Sequence, residues 1–303
     1  MTLPTLLLTG CKGQLGRSFS EHWSQSDVND RYSLVKVTRS QLDITNEIGL
    51  FSYLDDLRPS VIVNAAAYTK VDKAETDSET AHLVNENAVN SLAHWCKRNS
   101  GRLIHISTDF VFDGHASHPY AIDSPTNPLC VYGSSKLAGE RCITNVLPSS
   151  GLVVRTSWLY SEHRHNFVRT MLRLFSQRRD IKVVNDQIGS PTSAHSLSLF
   201  ILRLIENGIG AGICHFTDGG QISWYEFALS IREIGLELGL IRSPSTVLPV
   251  PSTEYMTAAR RPAYSVLDLT SVGSYANNDD QAWKLELRRV LERIKAGPAI
   301  DTH

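Results

Sequence analysis

The first half of the chain alternates short, wholly apolar runs with longer amphipathic stretches. Leu6-Leu7-Leu8, Leu34-Val35-Lys36-Val37, Val61-Ile62-Val63, Leu103-Ile104-His105-Ile106 and Leu152-Val153-Val154 read as strands. Between them, 13–23, 48–57 and 131–146 read as helices. The stretch 76–98 reads as a longer one, with Ala81, Val84, Ala88, Leu92 and Trp95 at helical spacing. Strands that are apolar throughout, separated by helices, predict a parallel sheet covered on both faces. After Arg155 the pattern loosens. Helices are predicted at 167–177, 196–206, 224–238 and from about Gln281 to Ile294, and Pro244, Pro249, Pro251 and Pro262 mark an irregular stretch.

Composition narrows the class. The 303 residues suffice for about two domains. Lys plus Arg is 30 and Asp plus Glu 31, a net charge of −1, which provides no field to steer a polyanion; no nucleic-acid partner is expected. No run approaches the ~18 apolar residues of a membrane span, and the first ten residues lack the cationic start of a signal peptide. Cys11, Cys96, Cys130, Cys142 and Cys214 are odd in number and form no C-x-x-C, so they read as reduced thiols in a cytoplasmic protein.

The first strand runs into Gly10-Cys11-Lys12-Gly13-Gln14-Leu15-Gly16, a G-x-x-G-x-x-G at a strand-to-helix turn. Glycine there permits the turn, the approach of a pyrophosphate and close helix–strand packing. The helix N-terminus offers free N–H groups to the phosphates. A dinucleotide site at Gly10, Lys12, Gly13, Gln14, Leu15 and Gly16 is the reading, with an ordinary Gly-rich turn as the alternative. The fold class follows: α/β, a Rossmann-type doubly wound parallel sheet with a smaller mixed α/β domain laid on it. The predicted boundaries are 1–158 with a return at about 192–207, and about 159–191 with 208–303. The ligand cleft is expected between the two.

An NAD site usually carries an acid at the end of the second strand. Here that strand ends at Thr38-Arg39, and Asp43 follows four residues later. Arg39 would pair with a 2′-phosphate, so NADPH is preferred over NADH; the alternative is a solvated loop cation. Asp43 and Ile44 would then sit near the adenine. Tyr132-Gly-Ser-Ser-Lys136 is Y-x-x-x-K, and i and i+4 share a helix face. An ammonium beside the phenol is expected to lower its pKa and fit it for proton exchange with a carbonyl. Ser107-Thr108-Asp109 follows the fourth strand, at the sheet end that lines the ligand crevice.

With these residues the chain resembles the extended short-chain dehydrogenase/reductases, and within them the dTDP-4-dehydrorhamnose reductase family. The likeness spans nearly the whole chain. It is carried by Asn64 to Glu75, by Ser107-Thr-Asp-Phe-Val-Phe112 and by Pro128 to Glu140. Arg155-Thr-Ser-Trp-Leu-Tyr160, Asn166-Phe167, Asn185-Asp-Gln-x-Gly-x-Pro-Thr192 and Arg261-Pro-x-x-Ser265 are similar to the family's substrate-side motifs.

The resemblance implies NADPH-dependent reduction of the 4-keto group of dTDP-4-dehydro-6-deoxy-L-mannose to dTDP-L-rhamnose, with hydride to carbon 4. It implies Thr108, Tyr132, Lys136 and Asp109 as the catalytic set. Thr108 would orient the substrate oxygen, Tyr132 donate the proton, and Lys136 tune Tyr132 and hold the nicotinamide ribose. Ala65, Ala66, Ala67 and Tyr68 would line the cofactor. Asn85 matches a supporting asparagine, or is an ordinary helix polar residue. Thr69, Val71, Asp72, Trp158, Asn166, Gln187 and Arg261 would serve the nucleotide sugar. Trp158 would be a flat wall or plain core, and Arg261 a diphosphate clamp.

Lys12 departs from the family's usual loop threonine, and Ser18-Phe-Ser stands where some members carry a metal-binding glutamate. No metal is expected, and the oligomer is a monomer or homodimer. His163 and His165 read as solvated loop residues. Three alternatives stand: a reductase of another nucleotide-linked 4-keto-6-deoxyhexose, a non-catalytic NADP-binding regulatory subunit like that of methionine adenosyltransferase, and an epimerase or dehydratase holding NAD.

Overall fold

The computed structural model describes residues 3–177, 180–242, 245–275 and 282–297. Pro244 and Gln281, used above as markers, lie outside the described residues. In chain order the elements are β1 (Thr5–Thr9), α1 (Gln14–Trp23), β2 (Ser33–Lys36), α2 (Glu47–Leu57), β3 (Val61–Asn64), α3 (Val71–Ala74), α4 (Ser78–His82), a π-helical turn (Leu83–Asn87), α5 (Ala88–Arg98), β4 (Arg102–Thr108) and α6 (Val131–Val146). Next come β5 (Gly151–Thr156), β6 (Leu159–Tyr160), α7 (Phe167–Gln177), β7 (Asp180–Val184), β8 (Ile188–Gly189), β9 (Thr192–Ser193) and α8 (Ala194–Glu206). The chain continues with β10 (Gly212–His215), β11 (Ile222–Ser223), α9 (Trp224–Glu237), β12 (Thr246–Val250) and α10 (Ala282–Ala296).

The main sheet is the predicted one, with six strands in the order β10-β5-β4-β3-β1-β2. All its pairs are parallel. Its central strands are mostly apolar because both faces are covered, while the edge strand β2 is partly exposed. On one face Leu6, Leu8, Val61, Val63 and Ile104 pack with Leu15 and Phe19 of α1 and Leu197, Phe200 and Ile201 of α8. On the other, Leu7, Ile62, Leu103 and Val153 pack with Leu50, Leu54, Leu92, Trp95 and Ile143. Helices α1 and α8 thus cover one side, and α2, α5 and α6 the other. The order reverses between β1 and β3, so the crevice of a doubly wound sheet opens at their carboxyl ends, above Gly10 and Ala65. The strand β10 adds a sixth member from beyond the expected return at 207.

A third core lies outside the sheet. Tyr160, Met171, Leu172, Phe175, Phe227, Ile231, Trp283 and Leu287 bring together α7, α9 and α10. Here the sequence pattern fell short. The stretch read as irregular holds β12, which pairs with β7 in parallel, Val247 opposite Ile181 and Pro249 opposite Val183. A two-stranded ribbon has only edges, and an edge tolerates a proline. The helix expected over 76–98 is interrupted by the π turn at 83–87. The long α6 falls on its predicted limits, starting where Cys130 Sγ accepts from Gly133 N at 3.4 Å.

Candidate active site

The glycine loop sits as expected. Gly10 has φ +65, and a Cβ on it would stand 2.6 Å from the Ala65 carbonyl. Only glycine fits that conformation and that approach of β1 to β3. Helix α1 opens at Gly13 with no side-chain cap and no acid in its first turn. Its N–H groups therefore remain free for an anion. Two loop residues point elsewhere. The Leu15 side chain is 5% exposed and belongs to the core beneath α1, so only its main chain can meet a ligand. Gln14 Oε1 accepts from Asn166 Nδ2 at 2.8 Å and from Ser161 Oγ at 3.0 Å. The Gln14 side chain is thus engaged across the molecule.

At the far side of the crevice, Arg39 is exposed and pairs with Asp43 at 3.3 Å. Thr45 donates to Asp43 through hydroxyl and main chain, at 2.7 and 3.0 Å, and these bonds hold its carboxyl below the usual range. Ile44 points into the core under α2 rather than toward a ligand. Lys12 is exposed, and Ala65, Ala66, Ala67 and Tyr68 are half-buried along the crevice. Asn85, 1% exposed in the π turn, accepts from Tyr68 N at 2.9 Å and donates to Tyr68 O at 3.1 Å and to Ser135 Oγ at 3.0 Å. It clamps the crevice loop to α6.

Helix α6 approaches its neighbours closely at two glycines. A Cβ on Gly133 would lie 2.2 Å from Phe110 O, and one on Gly139 would lie 2.1 Å from Asn85 O. Thr108 ends β4, and its hydroxyl donates to Asp109 Oδ1 at 3.0 Å. Burial pushes the Asp109 carboxyl up to about 6, against hydrogen bonds from Ser265 and Thr108. The Lys136 Nζ is 2.6 Å from Ile106 O and 2.9 Å from His105 Nε2, and burial lowers it to about 7. Tyr132 does not behave as expected. Burial raises its phenol far above the ordinary value, while a hydrogen bond with Thr108 acts in the opposite direction. The anticipated lowering by Lys136 fails for two reasons: the lysine is turned to β4, and desolvation weakens its own hold on a proton. A phenol kept protonated is the form a proton donor needs.

The substrate-side residues are brought together in part. Asp72 and Arg261 pair at 2.7 Å, and Ala259 N also donates to Asp72, at 3.1 Å. Thr69 is exposed and Val71 half-buried on the same segment, and Gln187 is half-buried just before β8. Trp158 adopts φ +47 and stacks on Trp224 with centroids 3.5 Å apart. It is half-buried and a member of the aromatic cluster with Trp224 and Phe227. Asn166 is 8% exposed and spends its amide on Gln14, Ser161 O and the N-terminus of α7. His163 is not simply solvated: its Nε2 lies 2.7 Å from Glu21, and Glu162 is close by. Arg293 Nη1 reaches the same two carboxylates at 3.4 and 3.6 Å.

Sequence reasoning passed over the polar layer beneath the site. Glu140 and Arg155, each 2% exposed, pair at 2.7 Å, and Ser107 donates to Glu140. The signal was there: Glu140 stands at i+4 from Lys136 on the same face of α6. His105 is the one polar residue among the four read as the fourth strand, Leu103-Ile104-His105-Ile106.

Comparison with known proteins fits this geometry. A family model described as RmlD substrate binding domain matches residues 4–296. The chain is 40% identical over 296 residues to a dTDP-4-dehydrorhamnose reductase of Aggregatibacter actinomycetemcomitans, covering 96% of this chain and 98% of that one. It is 39% identical over 262 residues to a dTDP-4-keto-6-deoxy-D-glucose reductase of Streptomyces niveus, covering 86% and 87%. A solved dTDP-4-dehydrorhamnose reductase of Bacillus anthracis, in complex with NADP, superposes with a TM-score of 0.88 at 33% identity, covering 96% and 100%. The chain therefore belongs to the dTDP-4-dehydrorhamnose reductases, a family of NAD(P)H-dependent oxidoreductases.

Proposed function

We propose that the protein reduces dTDP-4-dehydro-6-deoxy-L-mannose to dTDP-L-rhamnose with NADPH. The observation that carries the reading is the placement of a half-buried Tyr132, its phenol pKa raised by desolvation, beside Thr108 at the carboxyl end of β4, on the sheet whose first turn is an uncapped glycine loop. That loop fits a dinucleotide, because the space a Cβ would fill at Gly10 and the free N–H groups of α1 together suit a pyrophosphate. Gly10, Gly13 and Gly16 would hold the pyrophosphate through the main chain. Arg39 would face the 2′-phosphate. Ala65, Ala66 and Ala67 would let the cofactor lie close to the backbone, and Lys136 would hold its ribose. When bound, NADPH supplies the hydride that goes to carbon 4 of the sugar.

The residues of the chain position the ketone and deliver a proton. The Thr108 hydroxyl orients the carbonyl oxygen. The Tyr132 phenol donates its proton to that oxygen as charge develops on it. Arg261, held at its base by Asp72, offers its guanidinium to the diphosphate, and Trp158 offers a flat face to the sugar or base. Residues 1–158 with the return through α8 and β10 form the cofactor half, and the remainder forms the substrate half. We take the protein to be cytoplasmic and a monomer or homodimer.

The test follows reduced-nicotinamide absorbance with dTDP-4-dehydro-6-deoxy-L-mannose, NADPH and NADH in parallel, and Tyr132→Phe as control. Turnover to dTDP-L-rhamnose, lowered on the order of 10²–10⁴-fold in the variant, is the expected result. NADPH binding without turnover overturns it. The 39% identical Streptomyces relative supports a second reading, a different nucleotide-linked 4-keto-6-deoxyhexose as substrate. The same assay with that ketone separates the two.

A further inference from the structure

A row of buried polar side chains crosses the sheet from the glycine loop to Lys136, and the reduction chemistry leaves it without a role. Thr9, Asn64 and His105 are register partners on the adjacent strands β1, β3 and β4. The Thr9 hydroxyl donates to Asn64 Oδ1 at 2.6 Å. Asn64 Nδ2 lies 3.0 Å from His105 Nδ1, and His105 Nε2 lies 2.9 Å from Lys136 Nζ. Thr9 and Lys136 are 1% exposed, and Asn64 and His105 are 0% exposed. Polar groups this deep cost stability unless each hydrogen bond is made, so the row's direction is determined by which atoms can only donate.

The main-chain N–H of Ala66 sets that direction. It is shared between Asn64 Oδ1 and Thr9 Oγ1, each at 3.3 Å, and an inverted amide would set an NH2 against that N–H. The amide oxygen therefore faces Thr9 and Ala66, and Nδ2 donates to His105 Nδ1. Burial keeps His105 neutral, with its pKa well below the ordinary value. A neutral imidazole that accepts at Nδ1 carries its one proton at Nε2. That N–H points at Lys136. An ammonium has three donors and no acceptor, so it cannot receive it; a free amine can, while donating its own hydrogen to Ile106 O.

We propose that Thr9, Asn64 and His105 form a positioning row that presents Lys136 with a hydrogen-bond donor, so that the free enzyme holds Lys136 as the neutral amine. His105 is a positioning residue that acts through Lys136. The change is one proton exchanged between the amine and solvent. The surroundings agree with it. From α6, Tyr132 is protonated, and Glu140 is the carboxylate that favours the lysine's charge. Arg155 of β5 already neutralises Glu140, and His215 of β10 faces Arg155 rather than Lys136. Asp109, past the end of β4, acts on Tyr132. Thr9, Asn64 and Asn85 are uncharged. Burial accordingly brings Lys136 down to about 7.

The inference takes from the proposed function only that Lys136 belongs to the site. The test is nuclear magnetic resonance of the free enzyme, with 15N-labelled histidine and 13Cε-labelled lysine, and Lys136→Met to assign the signal. The expected result is an Nε2–H tautomer for His105 and a Lys136 midpoint near 7. In Asn64→Asp the carboxylate accepts from Nδ1–H, the tautomer inverts, and the Nε2 lone pair faces an ammonium. The Lys136 midpoint should then rise by about one unit or more, a tenfold gain in proton affinity. An Nδ1–H tautomer in the wild type overturns the proposal, as does a Lys136 midpoint near its ordinary value of about 10.4. So does an unmoved midpoint in a folded Asn64→Asp; should that variant not fold, the wild-type tautomer and midpoint decide. No substrate or cofactor enters the measurement, so its outcome and that of the reductase assay are independent.

Discussion

Arg261 and Asp72 are 189 residues apart in the chain and meet fork to fork, Nη1 to Oδ1 at 3.1 Å and Nη2 to Oδ2 at 2.7 Å. The pair joins the segment after β3 to the segment after β12. The hydrogen bond from Arg261 holds the Asp72 carboxyl below its usual range. Two parallel bonds fix the plane of the guanidinium before any substrate arrives. Arg261→Ala should raise KM for the dTDP-sugar on the order of tenfold to a hundredfold with a much smaller change in kcat, since a charge-assisted hydrogen bond contributes about 1.5–3 kcal/mol. Because both groups are partly exposed, the urea midpoint should hardly move. An unchanged KM would remove Arg261 from the substrate site.

Arg39 stands at the opposite end of the crevice, exposed and ion-paired with Asp43. Arg39→Ala should weaken NADPH about tenfold or more and leave NADH nearly unaffected, because only the 2′-phosphate uses the cation. The ratio of the two kcat/KM values is the readout. Equal losses for both cofactors would return Arg39 to the status of a loop cation.

Glu162 links the loop after β6 to α8. Burial alone would raise its carboxyl, but the hydrogen bond from His195 and the nearby histidine charges prevail and hold it at about 2. A folded-state value below the unfolded one contributes stability above about pH 4.5 that is lost as pH falls toward 2. Glu162→Gln should therefore lower the unfolding free energy at pH 7 by about 1–3 kcal/mol, and the gap to wild type should close toward pH 2–3. Urea titrations at the two pH values measure it. A gap that does not depend on pH would mean the carboxylate is not the stabilising form.

The Glu140–Arg155 pair lies beside β4, with Arg155 Nε 3.0 and 3.1 Å from the two carboxylate oxygens. The guanidinium also packs over the Phe112 ring at 5.1 Å. Glu140→Leu leaves a buried, unpaired cation and should cost about 3–5 kcal/mol. The double variant Glu140→Leu, Arg155→Met should recover much of that loss in a thermal melt. If the double variant is as unstable as the sum of the singles, the pair is not coupled.

Much of this protein was legible in local pattern. Continuous apolar runs at 6–8, 61–63 and 152–154 announce strands buried on both faces, and α6 keeps its predicted limits because its cap and periodicity are local. The glycine loop is legible for the same reason: the turn, the close approach and the helix start all fall within seven residues. The tertiary structure alone decided what depends on register between distant strands. Nothing in the sequence near Asn166 indicates that it will meet Gln14, 152 residues away. Nor does the Y-x-x-x-K spacing show that Lys136 turns to His105 on β4 while burial, not the lysine, governs Tyr132. Periodicity tells which face of an element is buried; which polar atoms meet there, and with what charge, is settled only when the sheet sets its strands side by side.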